Sequence, residues 1–132
     1  MATILVVDDE IEVGAVIRRV LERAGFAVAV ASNAAAALDA VTAEPPDVVI
    51  TDVIMPQVHG VELIRILREH YPRIRVIAIS GGGSFGPLAY KPDAISTQSY
   101  LAAAREAGAQ EILAKPFDLP DLLAAIQRLL PN

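Results

Sequence analysis

Cysteine is absent from the 132 residues, which excludes disulfides, zinc–thiolate centres and thiol nucleophiles together. Positive charge is scarce: 11 Lys and Arg stand against 16 Asp and Glu, a formal net charge of −5. That balance argues against a broad electrostatic grip on DNA or RNA phosphates. Long apolar runs are missing as well. Hydrophobic residues make up 54% of the chain, yet no run approaches the ~18 residues that a membrane span requires. The N-terminus, Met-Ala-Thr-Ile-Leu-Val-Val-Asp-Asp, has no basic stretch and meets acids too early for a signal peptide. Length and composition lead to the expectation of a soluble cytoplasmic protein forming one domain over residues 1–132.

What is present is an alternation of strand-like and helix-like segments. Thr3–Val7 is a short β-branched apolar run stopped by acids. Ile11–Ala24 has apolar residues at helical spacing (Val13, Val16, Ile17, Val20, Leu21), closed by Gly25. Phe26–Ala31 reads as a second strand, and Ser32 as the N-cap of an alanine-rich helix to Ala43. Asp47–Thr51 is a third strand, followed by a helix over Gly60–Tyr71 with Val61, Leu63, Ile64 and Leu67 inward. Arg75–Ile79 is a fourth strand. Ser80 to Ser96 is rich in glycine and has little periodicity, so a long loop is expected there. A helix over Thr97–Ala107 capped by Gly108, a strand over Glu111–Ala114 and a helix opened by Asp118 and running to Leu130 complete the chain. Strands alternating with helices in this way predict an α/β fold, a parallel sheet with helices on both faces. The strands are short and almost wholly apolar, as strands covered on both faces are.

In an open parallel sheet, ligands sit beyond the carboxyl ends of the strands. Asp8, Asp9 and Glu10 follow the first strand, Asp52 the third, Ser80 the fourth and Lys115 the fifth. Singly, each has a plain structural role: acids cap helices, Ser80 turns the chain and Lys115 is solvated. Together they bring three acids, a hydroxyl and a lysine to one edge. Clustered carboxylates repel, and a divalent cation relieves this. Magnesium favours oxygen ligands and retained waters. Asp9 and Asp52 are the best direct ligands, with Asp8 holding a metal-bound water. Metal, lysine and hydroxyl together suit a phosphoryl group, and an aspartate can itself attack phosphorus to give an acyl phosphate.

These residues carry a resemblance. Ile4-Leu-Val-Val-Asp-Asp-Glu10, Asp52-Val-Ile-Met-Pro56 with Gly60, Ser80, and Lys115-Pro116-Phe117 make the sequence similar to receiver domains of two-component response regulators. The resemblance spans essentially the whole chain and is of the single-domain, chemotaxis-regulator-like kind. It implies a flavodoxin-like (βα)5 doubly wound sheet of order 2-1-3-4-5. It implies that Asp52 accepts a phosphoryl group from a sensor histidine kinase or a histidine phosphotransfer protein with Mg2+ as cofactor. Asp8, Asp9 and the Ile54 backbone carbonyl would complete the metal pocket. Ser80 would hydrogen-bond the phosphoryl group, Lys115 would bind one of its oxygens, and Lys115–Pro116 is a cis candidate. The phosphorylated form would change its binding to a downstream protein, with no external substrate turned over.

Three departures from that pattern stand out. Ile112 occupies the position where the family often carries an aromatic switch residue; Phe85, Tyr90 and Tyr100 are the aromatics left to substitute, and packing is the simpler role for them. The Ser80-to-Lys115 interval is longer than the family's, the extra material falling on Gly82–Ser96. The positions that tune acyl-phosphate hydrolysis fall on Ile54 and Gly82, neither able to orient water, so slow self-dephosphorylation is expected.

Other readings fit less well. Gly81-Gly82-Gly83-Ser84-Phe85-Gly86 matches a dinucleotide fingerprint, but Pro87 follows where a helix should open, and it lies after the fourth strand instead of the first. An aspartyl phosphatase would need an acid where Ile54 stands. A phosphorylation-independent interaction module on the same fold is the alternative, which Ile112 and the insertion keep in view. His59 and His70 flank a surface helix and read as solvated. The chain stops two residues after its last helix, which favours a natural single-domain protein over a receiver cut from a larger one, without nucleic-acid-binding or membrane-inserting parts.

Overall fold

A computed structural model of the chain describes residues 2–53, 60–80, 94–114 and 118–130, without the side chains of Ser80 and residues 94–100. The elements are β1 (Thr3–Val7), α1 (Ile11–Arg23), β2 (Ala27–Ala31), α2 (Ala34–Ala43), β3 (Val48–Asp52), α3 (Gly60–His70), β4 (Arg75–Ser80), α4 (Ala94–Ala107), β5 (Glu111–Ala114) and α5 (Leu119–Leu129). All neighbouring strands pair in parallel, in the order β2-β1-β3-β4-β5. This is the doubly wound sheet expected from the sequence.

Period-two alternation divides each central strand between two cores. Leu5, Val7, Val49, Val76 and Ala78 pack beneath α2, α3 and α4, against Val41, Leu63, Ile64, Leu67 and Ala104. Ile4, Val6, Ile50, Ile77 and Ile79 pack beneath α1 and α5, against Val13, Ile17, Leu21, Leu122 and Ile126. The inward set of α3 is as the sequence reading placed it: Val61, Leu63, Ile64 and Leu67 are all buried. Gly25, at φ +100°, and Gly108, at φ +127°, end their helices in a backbone conformation that costs glycine little.

Several expectations need correction. Val16 does not face the core: it is 56% exposed, because Val13, Ile17 and Leu21 form the buried stripe at i, i+4 and i+8. Nor is β2 covered like the central strands. It is a sheet edge, and Ala29 and Val30 lie open to solvent. The N-cap of α2 is Asn33 and not Ser32; its side-chain oxygen accepts from the Ala36 N–H at 2.7 Å. Helix α4 begins at Ala94, three residues before the expected Thr97, so the last three residues of the Gly82–Ser96 insertion are helical. The rest of that insertion, with its glycine motif and Phe85 and Tyr90, lies outside the described residues, as does His59. His70 is exposed at the end of α3, as expected.

Candidate functional site

Strand register builds the site. The β1–β3 pairing ends with Val7 beside Thr51, so the next residues, Asp8 and Asp52, leave the sheet side by side. Asp52 is still in register with Ile79 of β4. The backbone after each strand is fixed. The Asp8 N–H donates to the Ala31 carbonyl at 3.1 Å, and the Val53 N–H donates to the Ile79 carbonyl at 3.0 Å. One Asp8 carboxylate oxygen accepts from the Glu10 N–H at 2.9 Å, a turn that aims the chain into α1.

Three carboxylates result, each offering an oxygen within 4.8 Å of the others: Asp8, Asp9 and Asp52. Asp8 is 0% and Asp52 3% exposed, and Asp9 is the solvent-facing member. Two buried acids at this spacing repel strongly, and a cation facing them is the arrangement that turns repulsion into binding. The donor set is all oxygen, which matches hard divalent cations better than zinc or copper.

The support beneath Asp52 comes partly from Gly60, a role the sequence reading did not assign. A Cβ at Gly60 would lie 2.1 Å from the Asp52 carbonyl oxygen and 2.6 Å from the Val53 Cα. The Gly60 N–H donates to the Val53 carbonyl at 3.2 Å. Helix α3 therefore starts in contact with the backbone that carries Asp52, and the missing side chain is what permits it. The available signal was a lone glycine at the mouth of a helix. Thr51, buried beside it, donates its hydroxyl to the same Asp52 carbonyl at 3.0 Å.

Of the remaining expected site residues, Ser80 closes β4 in register with Ala114 of β5. Lys115, Pro116 and Ile54 lie outside the described residues. Gly82 does too. Ile112 is half-buried and packs against the core under α2, α3 and α4. The Tyr100 side chain is not described. Glu111 of β5 is bound by Arg128 of α5, with guanidinium contacts of 2.6 and 3.1 Å. This hydrogen bond raises the Arg128 pKa above its usual value and ties β5 to α5.

Comparison with known proteins agrees with this geometry. The family model of the response regulator receiver domain matches residues 4–91. The DNA-binding transcriptional regulator NtrC of Rhizobium meliloti (strain 1021) is 36% identical over 129 residues, 98% of this chain but 24% of that protein. The chain thus spans about a quarter of that relative's length. The response regulator receiver protein CpdR of Brucella abortus (strain 2308) is 32% identical over 130 residues, 98% of each chain. Among solved structures, the Vibrio cholerae chemotaxis protein CheY4 superposes with a TM-score of 0.79 at 29% identity, over 98% of this chain and 99% of that one. A receiver domain protein from Clostridium thermocellum does so with a TM-score of 0.82 at 32% identity, over 98% and 94%. With strand order, acid cluster and sequence all in agreement, the chain belongs to the response regulator receiver domain family.

Proposed function

We propose that the chain, taken over residues 1–132 as one receiver domain, is the phosphoacceptor of a two-component phosphorelay. The observation that carries this reading is the convergence of buried Asp8 and Asp52 with Asp9 within 4.8 Å at the carboxyl end of the sheet. A phosphorylation-independent module would gain nothing from holding two buried acids together. Mg2+ held by Asp9, Asp52, the Ile54 carbonyl and, through water, Asp8 would offset the charge of the carboxylates and of phosphoryl oxygens. An Asp52 carboxylate oxygen attacks phosphorus in line. The new O–P bond forms as the donor's N–P bond breaks, and the donor imidazole leaves with that electron pair. Lys115 neutralises a phosphoryl oxygen and the Ser80 hydroxyl donates to another. The product is an acyl phosphate, and with Ile54 and Gly82 at the hydrolysis-tuning positions it decays slowly.

Incubation with a small acyl phosphate and Mg2+ is expected to phosphorylate the chain, and a chelator to abolish uptake. Uptake that persists without divalent cation would sink the role given to the acid cluster.

The donor in this reading is a protein: a sensor histidine kinase or a histidine phosphotransfer protein. Two apolar residues support it. Ile11 opens α1 and is 76% exposed, and Leu119 opens α5 and is 40% exposed. Both helices pack on the same sheet face and start at its carboxyl end, the end that carries the acids. Ile11→Glu combined with Leu119→Glu is expected to slow transfer from a phosphohistidine protein about tenfold or more. Uptake from the small phosphodonor should be unchanged. Equal slowing with both donors would show that the substitutions damage the site and not the docking. The output is contact with a downstream protein in the cytoplasm, without direct nucleic-acid binding. Among the described residues no helix is long and apolar enough to cross a membrane.

A further inference from the structure

We propose that a recess at the amino end of the sheet docks an acidic segment of a partner protein, anchored by apolar side chains. The recess has a volume of about 390 Å³ and is lined by Asp47, Pro72, Arg73, Arg75, Leu129 and Leu130. It lies at the opposite end of the molecule from the acid cluster. Asp47 directly precedes β3, and Asp52 ends it; at ~3.3 Å per residue the two are roughly 16 Å apart.

The Arg-Ile-Arg stretch forms one wall. The chain turns just before β4, with the Ile74 N–H donating to the Tyr71 carbonyl at 3.0 Å, so that Ile74 is buried in the core while Arg73 and Arg75 stay exposed on the recess. That stretch is held in place. The Arg68 guanidinium donates to the carbonyls of Pro72 at 3.1 Å and Ile74 at 3.2 Å, and the Arg75 N–H donates to the Asp47 carbonyl at 3.1 Å. The Asp47 carboxylate is engaged by Thr3, accepting from its N–H at 2.8 Å and its hydroxyl at 3.3 Å. Among the described residues, no carboxylate lies within ion-pair distance of Arg73 or Arg75. Leu129 and Leu130, both half-buried, supply the apolar wall.

Charge complementarity selects the occupant. The chain carries −5 overall, so an acidic partner is repelled by most of it. Glu12, Glu62 and Asp121 stand in first turns, at the far end of the molecule. At the end that bears the recess, Arg23, Arg68, Arg105 and Arg128 stand in last turns but are balanced by Glu22, Glu69, Glu106 and Glu111. The attraction for an acidic segment is therefore local, from Arg73 and Arg75. Paired guanidinium forks suit carboxylates, and the leucine wall suits apolar side chains between them. The recess is open to solvent, whereas small-molecule sites enclose ~70–90% of their ligand; a polypeptide fits better.

The test is titration of the full 15N-labelled chain with the peptide Asp-Leu-Asp-Leu-Asp, its Lys-for-Asp counterpart, and inorganic phosphate. The acidic peptide is expected to shift the amides of Arg73, Arg75, Leu129 and Leu130, less so as salt rises. Arg73→Glu with Arg75→Glu, both at exposed positions, should weaken binding by about tenfold or more, and Asp52→Asn should leave it unchanged. The proposal is overturned by any of four results: no shifts at millimolar peptide, shifts centred elsewhere, unchanged affinity in the charge-reversed variant, or equal effects from the Lys peptide or phosphate alone.

Discussion

In the absence of divalent cation, Asp52→Asn should unfold at a higher temperature than the parent chain, and Mg2+ should stabilise it far less. Asp8 and Asp52 are almost completely buried, and their carboxylate oxygens lie within 4.8 Å of each other and of Asp9. Two unit charges at 4.8 Å repel by roughly 3.5 kcal/mol at an effective dielectric of ~20. Replacing one carboxylate by its neutral isostere removes much of that repulsion without opening a cavity. A gain of about 1–3 kcal/mol is expected, seen as a rise of several degrees in thermal unfolding. The same exchange removes a metal ligand. Mg2+ at a hundredfold excess over its dissociation constant stabilises the parent by ~2.7 kcal/mol, and this increment should nearly vanish in the variant. Thermal scans of both proteins with Mg2+ and with chelator check the pair of effects. A variant less stable than the parent, with an undiminished Mg2+ response, would mean that these acids are not the metal site.

Gly60→Ala is expected to damage both stability and phosphoryl uptake. The added Cβ would lie 2.1 Å from the Asp52 carbonyl oxygen and 2.6 Å from the Val53 Cα. These are backbone atoms, so no rotamer change relieves the clash; either α3 or the end of β3 must move. Overpacking of this kind costs about 1–3 kcal/mol or more. The crowded atoms belong to Asp52, proposed to attack phosphorus, and to its neighbour Val53, and a shift on the order of 1 Å there can cost about a hundredfold in rate. Gly25→Ala is the control. A Cβ there meets nothing within 4 Å, and its φ is +100°. The cost should be about 1 kcal/mol of backbone strain, with uptake unaffected. Denaturant unfolding and phosphorylation rates of both variants separate the two cases. A Gly60→Ala protein as stable and as readily phosphorylated as the parent would contradict the close approach.

Particular residues show which features were legible in advance. Strands β1, β3 and β4 were readable because a strand covered on both faces is an unbroken apolar run. β2 has the same composition but lies at the edge; nothing in Ala-Val-Ala-Val-Ala reports a missing neighbour. Val16 fits a helical repeat as well as Ile17 does, and only the direction from which the sheet approaches α1 separates them. Ser32 and Asn33 are equally competent caps, and the choice between them is made by one residue of chain geometry. The early start of α4 went unread because Ala94-Ile95 has no periodicity of its own to set against the Ser96-Thr97 pair that follows. The acids at the site were legible from the strand-end rule applied to Asp8, Asp9 and Asp52. The burial of Asp52 was not, since it depends on how α3 closes over β3 through Gly60. Arg73 and Arg75 carried a signal that was there to be read: two cations either side of one core residue at the start of a strand.

The most direct test of the central claim is the intact mass of the chain after incubation with Mg2+ and a small-molecule phosphodonor, measured beside Asp52→Asn. The structure and the family lead to the gain of one phosphoryl group by the parent, none by Asp52→Asn, and none by either in chelator. A parent that binds Mg2+ and stays folded but gains no mass, or an Asp52→Asn variant that gains as much as the parent, would contradict the assignment of Asp52 as phosphoacceptor.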